Sequence, residues 1–116
     1  MGLKTYKGLI VWQRAMEVVV EIYKIARLLP KDEQYGLSSQ MKRAGVSMPS
    51  NIAEGFYRAH KPEQKQFFKI AYASGAELET QIEILKRLGF ISGQQTALID
   101  KLLSETMRML NKFSDY

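Results

Sequence analysis

Apolar positions recur three and four apart in four separate stretches of this chain, the spacing of one face of an α-helix and not of a strand. The clearest stretch runs from Tyr35 to Arg58. There Leu37, Met41, Ala44, Met48, Ile52 and Phe56 form an apolar row, and Gln40, Arg43, Ser47, Asn51 and Glu54 form a polar row beside it. Pro49 lies in the middle of both. An interior proline removes a backbone hydrogen bond and crowds the carbonyl four residues back, at a cost of roughly 3 kcal/mol. The apolar row keeps its phase across Pro49, which predicts one helix kinked at the proline and not two helices meeting there. The hydroxyls of Ser47 and Ser50 stand near enough in sequence to satisfy the freed backbone groups.

The other stretches complete an up-down antiparallel four-helix bundle, an all-α fold with helices over about residues 8–29, 35–58, 62–88 and 92–113. Helix 1 is stopped by Pro30, and Trp12, Ala15, Met16, Val19, Ile22, Tyr23, Ala26 and Leu29 form its expected inward face. Short polar links predict that consecutive helices are antiparallel neighbours. Pro62 is expected at the first position of helix 3, which turns Phe67, Ile70, Ala71, Ser74, Leu78, Ile82 and Leu85 inward. Lys86, Arg87 and then Gly89 signal its end, with Gly89 in a left-handed cap. Ser92 and Gln95 form a capping box that opens helix 4, whose inward face is Leu98, Ile99, Leu102, Leu103, Thr106, Met109, Leu110 and Phe113. The tail Ser114–Asp115–Tyr116 is expected to fray.

Helix 1 is apolar beyond one face. Val11, Val18 and Ile25 form a further row to one side, with Val20 and Leu28 exposing still more apolar surface. A bundle gives each helix one inward face, so this row is assigned to a homo-oligomer interface, although a covering loop would also account for it.

At 116 residues the chain fits a single domain, residues 1–116, with one core. It has no cysteine, which removes disulfides, thiolate metal sites and cysteine nucleophiles and fits a reducing compartment, so a cytoplasmic location is the expectation. The apolar run near the start is broken by Gln13, Arg14 and Glu17 before a signal core or membrane span can form. Seventeen Lys and Arg against twelve Asp and Glu leave a formal charge of +5, which favours anionic partners.

Candidate chemistry is sparse. His60, the single histidine, stands in a turn without a Glu-x-x-His pair, a nucleophile elbow or a phosphate-cradling glycine loop around it. No catalytic residue, metal site or cofactor is expected, and the chain is read as no enzyme. Gln13, Arg43, Ser47, Asn51, Glu54, Glu77 and Gln81 can be aimed at one another from three helices. They are read as a structural network that fixes helix register. The carboxylate pair Glu54 and Glu77, the alternative ligand set, lacks the further oxygen donors a cation needs. Arg58, Lys61, Lys65 and Lys69 straddle the turn into helix 3, the three lysines at four-residue spacing on one face, and helix 1 adds Lys24 and Arg27. These six are the candidate phosphate contacts, with Tyr57, Phe68 and Tyr72 as candidate stacking partners for bases.

The segment EQYGLSSQMKRAGVSMPSNIAEG from Glu33 to Gly55, with VWQRA at 11–15 and SGAELETQ at 74–81, resembles the bacterial four-helix-bundle family of 23S rRNA intervening-sequence proteins. The resemblance spans nearly the whole chain. It implies a small cytosolic bundle without enzymatic activity, related to the accessory variability determinant of diversity-generating retroelements, a basic pentamer that binds nucleic acid and a reverse transcriptase. With it, the sequence is read as a homo-oligomeric, non-catalytic nucleic-acid-binding protein, a pentamer being the implied ring. The competing reading is a protein adaptor or scaffold whose positive charge is incidental.

Overall fold

The computed structural model describes residues 5–114, which form four helices: α1 (Ile10–Ala26), α2 (Leu37–Phe56), α3 (Lys61–Arg87) and α4 (Gly93–Ser114). Ser114, expected to fray, is the last residue of α4, and the fraying expected of Asp115 and Tyr116 lies outside the described residues. Each helix packs on its neighbours in sequence and α1 closes the bundle against α4, giving an up-down antiparallel arrangement 46 × 25 × 22 Å in extent.

The helix ends follow the local chemistry. Thr5 accepts the Lys7 N–H at 2.9 Å and opens a 3-10 turn over Tyr6–Gly8, so α1 begins at Ile10 and not at Gly8. It also ends early, at Ala26, because the residue before Pro30 is disfavoured in helix and the last turn unwinds ahead of it. Lys61 takes the first position of α3 and Pro62 the second, where a missing N–H is equally harmless. At the far end Gly89 has φ +77°, its N–H reaches the Lys86 carbonyl at 3.0 Å and the Phe90 N–H reaches that of Leu85 at 3.0 Å. These two bonds are the left-handed cap that the sequence called for. The Ser92–Gln95 box is reciprocal, with the Ser92 N–H donating to Gln95 Oε1 at 2.9 Å and the Gln95 N–H to Ser92 Oγ at 3.2 Å.

Helix α2 runs unbroken through Pro49, which is itself buried. The carbonyl its ring approaches belongs to Gly45, whose missing side chain also brings Ile22 of α1 close: a Cβ there would lie 3.7 Å from Ile22 Cγ1. Ser50 is exposed, and Ser47 turns its hydroxyl to Asn51 and Ser74, so the roles expected of these two serines as substitutes for backbone bonds are not the ones they play.

The core takes in an edge of helix 1 that was placed outside and leaves out part of the edge that was placed inside. Val11, Val18 and Ile25, assigned to an oligomer interface, are 2%, 0% and 4% exposed within a single chain and pack in the core. Met16 and Tyr23, assigned to the inward face, stand at the surface, as do Val20 and Leu28. Ala15, Ile22 and Ala26 are buried as expected. The apolar arc of α1 is wider than the arc its neighbours cover. Contact with α4 as well as α2 turns the Val11–Val18–Ile25 edge in and the Met16–Tyr23 edge out. Ile70 of α3 and Leu98 of α4 are also exposed, where both were expected inside, and Phe68 and Met107 are buried.

Candidate nucleic-acid interface

The turn between α2 and α3 meets the first residues of α1 and the last residues of α4 at one end of the bundle. Cutting each helix at its midpoint, this half (residues 5–18, 47–74 and 104–113) carries eight basic and four acidic residues. The other half carries eight and seven. Most of the chain's excess positive charge is therefore gathered at one end. Eight of the eleven described aromatic residues lie in the same half.

Arg58, just past the end of α2, holds its guanidinium 4.8 Å from the centre of the Phe67 ring, and its carbonyl accepts a hydrogen bond from the side-chain amide of Gln64. These contacts fix the turn and keep the cation at the surface. The close approach beneath it depends on Gly55, since a Cβ there would come within 3.0 Å of both Phe67 Cβ and Phe68 Cε1. Lys61 and Lys65 border a cleft completed by Gln64, Phe68 and Phe113. Lys69, one turn further along α3, is exposed. Lys112, on the last turn of α4, borders an apolar cleft that it shares with Leu9, Met109 and Phe113.

The remaining candidate cations do not join this end. Lys24 and Arg27 lie at the opposite end of α1, and Lys24 Nζ is paired with Glu21 at 3.2 Å. Sequence reasoning missed Lys112 and Arg108, which are far from the α2–α3 turn in the chain and reach the same end through the antiparallel return of α4.

The polar set divides. Asn51 Nδ2 donates to the Ser47 carbonyl at 2.8 Å and to Ser47 Oγ at 3.0 Å, while Ser74 Oγ donates across to Ser47 Oγ at 2.9 Å. Separately, Gln81 Nε2 donates to Glu77 Oε2 at 3.1 Å, and the buried Gln81 Oε1 has no partner among the described protein groups. Gln13 is exposed and donates to the Lys7 carbonyl at 2.9 Å, and Arg43 and Glu54 are exposed. What sequence spacing suggested as one network across three helices is thus a serine–asparagine bridge between α2 and α3 and a separate pair along α3. Ser74 completes the bridge. Among the described residues no three of His, Cys, Asp and Glu stand together in a way that could hold a metal ion, and no helix is long and apolar enough to cross a membrane.

The outer surface of α1 carries two apolar patches. Toward α2, Tyr6, Trp12, Met16 and Val19 line a groove with Val46, Pro49 and Ala53. Nearby Lys42 lies 5.1 Å over the Tyr23 ring. Toward α4, Val20, Leu98 and Leu102 form a second hollow with Glu17 and Glu21.

The sequence profile of the 23S rRNA-intervening sequence protein family matches residues 7–112. Comparison with curated proteins finds no match. Among solved structures, the fold is similar to that of a protein of unknown function from the S23 ribosomal protein family of Bacteroides thetaiotaomicron, with a TM-score of 0.85 at 23% sequence identity, covering 92% of this chain and 100% of that one. At that identity the likeness shows the shared bundle. The family profile extends through all four helices, and the chain belongs to the 23S rRNA-intervening sequence protein family.

Proposed function

We propose that this protein is a non-catalytic nucleic-acid-binding bundle whose phosphate-contacting surface is the end bearing Arg58, Lys61, Lys65 and Lys69. The observation that carries this reading is the charge distribution: the end built from the α2–α3 turn has eight basic against four acidic residues while the other end is close to balanced. A concentrated patch binds a polyanion far better than the same charge spread evenly, because several phosphates are neutralised together and release their counterions. Arg108 and Lys112 extend the patch. Lys24, paired with Glu21, does not contribute. Filter binding of RNA and DNA oligonucleotides over a salt series tests it. Affinity should fall steeply with salt, with a log–log slope of roughly −0.7 to −0.9 per phosphate contacted. Lys65→Glu with Lys69→Glu should abolish binding at unchanged helicity. Equal affinity in that double variant would remove this surface from the account.

The apolar patches beside α1 support self-association. The two lie on different sides of the same helix, and the glutamates beside the second, Glu17 and Glu21, are already paired within the chain with Arg14 and Lys24. A head-to-tail contact between such patches forms a ring where its rotation closes and a filament where it does not, and the family resemblance favours a ring of five subunits. A ring repeats the basic end in every subunit and turns modest phosphate contacts into useful affinity. The groove between α1 and α2 is also the feature that favours an adaptor role, with a partner protein in place of a second copy. Light scattering separates the two: a monomer at micromolar concentration that still captures a protein after nuclease treatment would select the adaptor.

A further inference from the structure

Resting on the nucleic-acid reading, we propose that the cleft between α3 and α4 selects single-stranded over double-stranded nucleic acid by stacking an unpaired base on Phe113. The cleft has a volume of about 260 Å³, is floored by Phe68 and Phe113 and is bordered by Lys61, Gln64 and Lys65. The two rings lie 5.2 Å apart between centroids at an interplanar angle of 46°. Phe68 is buried, whereas Phe113 is 39% exposed, so it is Phe113 that offers ring surface to a ligand.

Two chemistries meet in this cleft. An aromatic face attracts any base by stacking and so confers little sequence preference, while the flanking lysines attract the phosphates on either side of that base. A base held in a duplex has both faces covered by its neighbours and cannot reach a ring set into a cleft. Lysines alone would not distinguish the two forms in this way. Gln64 adds a polar edge to the cleft: one of its amide N–H groups donates to the Arg58 carbonyl, and the side chain keeps a second donor and an acceptor oxygen of the kind that pairs with base edges.

The test compares twelve-nucleotide single strands, oligo-dT and oligo-U, with a duplex of equal length at low salt. The wild type should bind both single strands more tightly than the duplex. Phe113→Ala should weaken single-strand binding about 5- to 150-fold, the range for loss of one base stack, with little effect on the duplex. Phe113→Leu, which keeps apolar bulk without the aromatic plane, should lose most of the same affinity, and Phe113→Trp should retain it. Circular dichroism would verify that the variants stay helical. Equal binding of single strand and duplex, or wild-type affinity in both Phe113→Ala and Phe113→Leu, overturns the base-stacking assignment while leaving the phosphate surface standing. Failure of the wild type to bind either form removes both.

Discussion

Ser74 Oγ of α3 donates a 2.9 Å hydrogen bond to Ser47 Oγ of α2, and the same Ser47 oxygen accepts a 3.0 Å bond from Asn51 Nδ2. This pair of serines joins the two most extensively packed helices at their midpoints. Because Ser74 is buried and Ser47 and Asn51 are half-buried, a partner removed on one side leaves a donor poorly solvated on the other.

Replacing Ser47 with alanine is expected to destabilise the bundle by about 1–2 kcal/mol, and Ser74→Ala by about 1 kcal/mol. In a double-mutant cycle measured by urea unfolding the two should be coupled, the double variant losing less than the sum. Strict additivity would show that the bond contributes nothing to register.

Val18 and Val20 provide a matched pair on one helix. Val18→Lys buries a charge in a site that is 0% exposed and should cost about 4 kcal/mol or more, enough to abolish cooperative melting. Val20→Lys, at a site 51% exposed, should leave the thermal midpoint nearly unchanged.

Self-association should respond to Met16→Lys or Val46→Lys, which charge the groove between α1 and α2 without touching the core. Light scattering is expected to show an oligomer for the wild type and a monomer for these variants, with helicity preserved. A wild type that is monomeric across the micromolar range would exclude the ring.

Gly55→Ala should lower stability despite alanine's better helix propensity. The added methyl would meet Phe67 Cβ and Phe68 Cε1 at 3.0 Å and the Gln64 carbonyl oxygen at 3.3 Å, and Cβ and carbonyl atoms move only with the α3 backbone. The overpacking penalty of about 1–3 kcal/mol exceeds the gain of about 1 kcal/mol from replacing glycine. Chemical denaturation would read the difference.

Lys24→Ala should leave nucleic-acid affinity and its salt slope unchanged, since this lysine is paired with Glu21 at the balanced end of the bundle. Lys61→Ala should reduce the slope by nearly one unit, as expected for one phosphate contact. Filter binding at several salt concentrations distinguishes the two.

The sequence by itself determined the four helices, their antiparallel order and several of their ends. Those features depend on interactions within a few residues: the Ser92–Gln95 box, the left-handed Gly89, and apolar residues that stay in phase through Pro49. What it left open was which edge of a wide apolar arc faces inward. Val11, Val18 and Ile25 are as apolar as Met16 and Tyr23, and only the placement of α4 against α1 decides that the first three are buried. The polar set shows the same limit. Spacing groups Gln13, Arg43 and Glu54 with the other polar residues of three helices without fixing the rotation that exposes them, and Ser74 looked like an ordinary core position until it met Ser47. The basic row at the α2–α3 turn was legible as a periodic charge pattern. Its concentration at one end, with Arg108, Lys112 and Phe113 brought in from the far end of the chain, was decided by tertiary structure, because an antiparallel bundle joins residues that are distant in sequence.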